Sequence, residues 1–178
     1  MCDKIPGNAA EGFTLIELLI AMAAGLVVMG TAYQTFVVQR KIYAVQEQVT
    51  EMNQNARAAV DFMARELRMA ISISSLDSTA GTSSITYVSI ENTAQNRCFN
   101  LRADTLKYGR GGDCDPGGSP DPLAENISSL TITRAANLFT ITLTARTAGV
   151  DPDRGTYRSI TITSRVRPRC IQEGTRCS

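Results

Sequence analysis

The stretch that decides the fold lies near the N-terminus and reads Gly12-Phe13-Thr14-Leu15-Ile16-Glu17-Leu18-Leu19-Ile20-Ala21. It opens an apolar tract, and residues 18–39 contain no charged side chain. As a helix these residues would span about 33 Å, slightly more than the ~30 Å hydrocarbon core of a bilayer. Core helices of soluble proteins rarely run so far without a charge. We therefore predict that residues 13–39 form the transmembrane half of an N-terminal helix rather than a helix buried in a protein core.

The segment before the tract, residues 1–12, is a short polar leader. A secretory signal would carry a small-residue cleavage site after its apolar centre, and none follows here. Glu17 interrupts the apolar run near its start, which indicates a functional residue unless it marks the membrane edge and faces headgroups. If the chain were cut after Gly12, Glu17 would lie roughly 6 Å along the helix from the new amine. The amine of a neighbouring copy could then neutralise its carboxylate.

The quoted string closely resembles the prepilin cleavage and methylation signature of type IV pilins and type II secretion pseudopilins. The resemblance implies cleavage between Gly12 and Phe13, N-methylation of Phe13, and a role for Glu17 in assembly. The implied partners are a prepilin peptidase, other pilins of the filament, an inner-membrane assembly platform and membrane lipid. It also implies a single-pass protein of the bacterial inner membrane with a periplasmic C-terminal head, which later moves to a cell-surface pilus.

A second stretch, residues 49–70, resembles the helix end of PilW-type minor pilins, and J-type pseudopilins of type II secretion are similar but less close. The resemblance implies a minor type IV pilin that is incorporated into a pilus or primes its assembly. A type II secretion pseudopilin and a tip adhesin or DNA-binding minor pilin are the alternatives. Two features depart from the family: Asp3 and Glu11 make the leader less basic than many, and no proline interrupts residues 13–70. Because Arg40 and Lys41 follow the tract, the positive-inside rule alone would not select a cytoplasmic N-terminus.

The helical pattern continues beyond the tract as an amphipathic half over residues 40–71. A coiled coil is the alternative, but the stripe is short and contains small Ala residues, so packing on the chain's own sheet is favoured. The stripe consists of Ile42, Val45, Val49, Met52, Ala56, Val60, Met63, Leu67 and Ala70.

Residues 72–178 are predicted to form a β-sheet head. Strict alternation of apolar and polar residues favours strands over residues 127–134, 138–146 and 157–167, and weaker strands over 84–90, 97–101 and 105–108. Glycine and proline favour a long loop over residues 109–126. The predicted fold class is α+β, a pilin-like fold with one long N-terminal helix packed on an antiparallel β-sheet.

The cysteines suit an exported head. Cys2 would be lost with the leader, which leaves Cys98, Cys114, Cys170 and Cys177. An even number in an oxidising compartment favours two disulfides, for which three pairings are possible. We favour Cys98–Cys114 with Cys170–Cys177, because each closes a local loop. A zinc site of four cysteines is disfavoured because no CxxC pair is present.

Composition narrows the function further. Lys and Arg total 18, Asp and Glu total 17, and there is no His. The absence of His excludes triads that use it and His-ligated zinc, and no cofactor motif appears, so we predict a structural protein with no cofactor and not an enzyme. Calcium at Asp113, Asp115 and Asp121, or at Asp151 and Asp153, is a weaker alternative to ordinary turns. A solvated sheet face is likewise favoured over nucleic-acid binding for Arg158, Arg165, Arg167, Arg169 and Arg176.

Overall fold

The computed structural model describes residues 12–79, 81–115, 117–152 and 154–169. The chain divides into two compact units, Met1–Ala44 and Val45–Ser178, and one helix, α1 (Leu15–Arg68), contributes to both. In the first unit the apolar residues of α1 are exposed, and an 18-residue window of the helix is long and apolar enough to cross a membrane.

In the second unit, α1 buries the part of the predicted stripe that runs from Met52 to Leu67. Ile42 is exposed and Val45 and Val49 are half-buried. Ala70 lies in the strand that follows, because the helix ends at Arg68 and not near residue 71. The buried residues of α1 recur at three- and four-residue spacing and join the main hydrophobic core with residues from both sheets. The buried helix residues are Met52, Ala56, Ala59, Val60, Met63, Ala64, Glu66 and Leu67.

The first sheet has five antiparallel strands, which pair in the order β1 (Ala70–Asp77), β2 (Ser84–Ser89), β3 (Asn92–Arg102), β4 (Thr105–Arg110) and β5 (Asp121–Ala124). Alternate residues of β2, such as Ile85 and Tyr87, are fully buried, while their neighbours are half-buried. This alternation places one face of the sheet in the core and leaves the other partly in solvent.

The second sheet has three antiparallel strands, which pair in the order β6 (Ile127–Ala135), β7 (Leu138–Arg146) and β8 (Ser159–Val166). Its inner face carries the largest apolar residues of β6 and β7, and threonines occupy much of the outer face.

The predicted fold class is confirmed, because one long N-terminal helix packs on antiparallel β-structure. The single predicted sheet is replaced by two. Asn126, between β5 and β6, has a positive φ of 59°, and this left-handed residue turns the chain between strands that belong to different sheets. A short parallel bridge between Thr82 and Leu130 links the segment between β1 and β2 to β6.

The loop predicted over residues 109–126 contains regular structure. A 3₁₀ turn, Gly111–Cys114, is followed by β5, which pairs with β4. The glycines that suggested a loop instead permit close packing: a Cβ at Gly118 would lie 2.5 Å from the Asp113 carbonyl oxygen. Pro122 is tolerated because β5 is an edge strand.

Candidate functional site

The N-terminal end of α1 holds the residues that the sequence singled out. Gly12 and Phe13 precede the helix in non-helical conformation, and the Phe13 side chain is 83% exposed. Thr14 caps the helix: the Glu17 backbone N–H lies 3.4 Å from Thr14 Oγ1, and the Leu18 N–H donates to the Thr14 carbonyl at 3.2 Å. The sequence analysis missed this cap, although Thr14 and Glu17 have the Thr-x-x-Glu spacing of a capping box.

Glu17 lies in the first turn of α1, and its side chain is exposed. Among the described residues its carboxylate has no hydrogen-bond or ion-pair partner. A carboxylate near the positive end of a helix gains only about 0.3–1 kcal/mol from the helix dipole. That gain is small beside the cost of a bare charge in hydrocarbon, so the carboxylate needs a cationic partner if this end of α1 enters the membrane.

A buried polar cluster lies where the last turns of α1 meet the first sheet. Glu66 is 6% exposed, and its Oε2 accepts from Arg97 Nη1 at 2.6 Å and from the Tyr87 hydroxyl at 2.8 Å. The Tyr108 hydroxyl lies 3.4 Å from the same oxygen. Arg97, on β3, also binds Glu91 through Nη2 at 2.9 Å. The cluster therefore ties the helix to β2, β3 and β4.

The pKa shifts in the cluster are those expected for a buried ion pair whose charged groups are hydrogen-bonded. Burial raises the pKa of the Tyr87 phenol far above its usual value, and the neighbouring Glu66 charge raises it further. For Arg97, burial works to lower the pKa, but the hydrogen bonds to Glu66 and Glu91 outweigh it and raise the pKa. Both groups therefore keep their ordinary protonation states, with a neutral phenol and a charged guanidinium, throughout the physiological pH range. The sequence analysis missed this cluster, although the charged Glu66, directly before Leu67 of the apolar stripe, was a signal for it.

A disulfide joins β3 to the segment between β4 and β5. Cys98, on β3, is bonded to Cys114, at the end of the 3₁₀ turn, with 5.6 Å between their Cα atoms. Gly109 allows this approach, since a Cβ there would lie 2.9 Å from Cys98 Sγ. The bond anchors the segment between β4 and β5 to the sheet. The second favoured pair, Cys170 and Cys177, lies outside the described residues.

Replacing both Cys98 and Cys114 by Ser should lower the free energy of unfolding of the head by about 3 kcal/mol. The two cysteines are 16 residues apart in the sequence, and a disulfide that closes a loop of this size restricts the unfolded chain by about that free energy. Denaturant unfolding of the full chain in detergent, followed by the near-ultraviolet circular dichroism of its tyrosines, would measure the change. A loss below about 1 kcal/mol would contradict the expectation.

The residues that the sequence suggested for calcium or nucleic-acid binding are dispersed. Asp151 is buried, and its carboxylate accepts a hydrogen bond from Arg158 Nε at 2.7 Å. This carboxylate, which the sequence suggested as a calcium ligand, therefore forms an ion pair with an arginine. Among the described residues no group of three or more Cys, Asp or Glu side chains has the geometry to hold a metal ion. Arg165, Arg167 and Arg169 are exposed. Asp153 and Arg176 lie outside the described residues.

Comparison with known proteins locates the resemblance in the N-terminal region. No curated protein and no solved structure matches the chain. Residues 7–33 match the family model described as the prokaryotic N-terminal methylation motif. This range includes Gly12, Phe13 and Glu17, and the motif is the signature of type IV pilins and pseudopilins. The match supports a prepilin-like chain with the general role of a pilin or pseudopilin: a structural subunit that a prepilin peptidase processes and that assembles with other pilins.

Proposed function

We propose that this chain is a minor type IV pilin of the PilW type, cut by a prepilin peptidase between Gly12 and Phe13 and methylated on the new amine of Phe13. The observation that carries the proposal is the methylation motif over residues 7–33, together with the unpartnered carboxylate of Glu17 in the first turn of an exposed apolar helix. The chain acts by polymerisation, incorporated into a pilus or priming its assembly, and has no catalytic role.

In the proposed assembly mechanism, the apolar helix of the first unit acts both in the membrane and in the filament. The apolar residues of the first unit hold the chain in the inner membrane before assembly, and the same surface packs with other helices in the filament core. Cleavage after Gly12 creates a positive amine one residue before the Thr14 cap. That amine repels the positive end of its own helix dipole, so a carboxylate from a neighbouring subunit stabilises it. Glu17 supplies this carboxylate and thereby sets the register between neighbouring subunits.

The head is proposed to lie in the periplasm while the N-terminus faces the cytoplasm. The Cys98–Cys114 disulfide supports an oxidising compartment for the second unit, because structural disulfides persist in the periplasm and are rare in the cytosol. In this orientation Arg40 and Lys41 lie just outside the membrane on the periplasmic side. The inner-membrane assembly platform would contact the chain before its apolar helix leaves the membrane.

A type II secretion pseudopilin is the second candidate, because its N-terminal motif and processing are the same. Deleting the gene separates the two: loss of pili with normal secretion supports the pilus, and loss of secretion with normal pili supports the pseudopilin. A tip adhesin or DNA-binding minor pilin would use the exposed arginines Arg165, Arg167 and Arg169, and its binding would weaken steeply with salt.

The intact mass of the protein recovered from membranes under non-reducing conditions tests the proposal. We expect loss of residues 1–12, one added methyl group, and a deficit of two hydrogen atoms for each disulfide. A Gly12→Ala variant in the same cells should remain largely uncut and is the matched control. An uncut wild-type chain beside an active prepilin peptidase would overturn the proposal and leave a membrane-anchored domain.

A further inference from the structure

The two sheets of the head have four outer edges, and three of them are blunted. β1 carries two register irregularities, and β5 has only four residues and includes Pro122. β6 is covered by the segment between β1 and β2, because Ser83 N–H donates to the Leu130 carbonyl and Leu130 N–H donates to the Gly81 carbonyl, both at 3.0 Å. Bulges, short length, proline and covering loops are the usual devices that prevent a sheet edge from pairing with another chain.

β8 has none of these devices. It is an edge strand of eight residues, paired with β7 in uninterrupted register from Ser159 opposite Arg146 to Val166 opposite Phe139. No strand lies on its other side in the part of the chain that the structure describes, and β8 contains neither a bulge nor a proline. It is therefore a regular edge that is open to another strand.

The hydrogen-bond pattern identifies the free backbone groups. Thr147 N–H donates to the Arg158 carbonyl, so this pair lies in a hydrogen-bonded position. Hydrogen-bonded and non-bonded pairs alternate along an antiparallel ladder. Counting along the register, Ile160 and Ile162 direct their N–H and C=O groups to β7. The groups that face the open edge belong to Ser159, Thr161, Thr163 and Arg165.

The side chains of β8 determine which kind of strand could pair with this edge. On the inner face, Ile160 and Ile162 are only half-buried although they pack against the core, so an added strand with apolar residues at alternate positions would cover them. On the outer face, Thr161 and Thr163 are exposed and accept polar neighbours. Arg165 is exposed at the end of the strand and favours a carboxylate across from it.

We propose that the open edge of β8 pairs with an extended strand from the head of another subunit of the same filament. The partner strand alternates apolar and polar residues and carries an acidic side chain facing Arg165. This inference rests on the proposed function, because it assumes that the chain enters a filament. Backbone hydrogen bonds would supply affinity, and the alternating side chains would select the subunit, as in other cases of strand addition to a sheet edge.

The test compares two substitutions of Thr163 in the full chain, expressed in its own cells. Thr163→Pro removes an N–H that faces the open edge and leaves the bonds between β7 and β8 in place, a position where sheets tolerate proline. Thr163→Ala changes the side chain but keeps the N–H. We expect incorporation into purified filaments to fall about tenfold for Thr163→Pro and to stay within about twofold of wild type for Thr163→Ala. Normal incorporation of Thr163→Pro would overturn the proposal.

If Thr163→Pro fails to fold, a crosslinking measurement tests the proposed pairing of β8 instead. A photoreactive residue at Thr161 should form an adduct with a β-strand in the head of another filament subunit. The same residue at Thr133, exposed on β6 away from this edge, should not form that adduct. A filament-incorporated chain that gives no such adduct from position 161 would also overturn the proposal. Absence of wild-type chain from filaments would instead contradict the proposed function, which separates the two failures.

Discussion

Replacing Glu17 by Gln is expected to remove the chain from filaments while its head stays folded. The substitution keeps the size and shape of the side chain and removes the charge that the amine of a neighbouring subunit would meet in an apolar surrounding. An ion pair worth only about 1.4 kcal/mol changes an equilibrium tenfold, so incorporation should fall by roughly tenfold or more. Glu17→Ala should have the same effect.

The control for Glu17 is Glu47→Gln, which removes an exposed carboxylate of the same helix outside the apolar tract. It should incorporate normally. Quantifying the processed chain in purified filaments, relative to the processed chain in membranes, separates assembly from cleavage. Normal incorporation of Glu17→Gln would refute the role of Glu17 in setting the register. Reduced cleavage of the leader would indicate instead that the peptidase recognises Glu17.

Replacing Arg97 by Ala should lower the free energy of unfolding of the head by about 3–5 kcal/mol, the largest stability effect that we expect in this chain. The reason is the buried carboxylate of Glu66, which would lose its cationic partner while only phenolic donors remained. Arg102→Ala, on the same strand but exposed, should change stability by less than about 0.5 kcal/mol. Denaturant unfolding of the full chain in detergent would measure both.

A double substitution distinguishes an ion pair from simple packing. Replacing Glu66 and Arg97 together by Met removes both charges and refills the space, so the double variant should lose less stability than Arg97→Ala alone. A residual loss of about 1 kcal/mol is expected, because the Tyr87 hydroxyl would lose its acceptor. A double variant that is less stable than Arg97→Ala would contradict this account. Leader cleavage should be unchanged in all these variants, because residues 7–33 lie outside the head.

The helix and the processing motif could be predicted from the sequence because both depend on residues that are close along the chain. A charge-free run, a three- and four-residue apolar period and a Gly-Phe boundary are local patterns, and the structure has the helix over Leu15–Arg68. Alternation in residues 138–146 likewise predicted β7 with its bounds, because each residue's face depends only on its neighbours.

The tertiary structure alone decided the features that join distant residues. Whether β5 and β6 share a sheet depends on the left-handed Asn126 and on pairing partners that no local period reveals. Glu66 meets Arg97 only because the helix packs on β3, so its carboxylate is part of the core rather than of a wet helix face. The open edge of β8 likewise depends on strand order, because β8 pairs only with β7 among the described residues. Local periodicity thus determined the helix and several strands, and the resemblance of residues 12–21 to a known signature indicated the methylation motif. Strand order, ion pairing and free edges arise from long-range contacts.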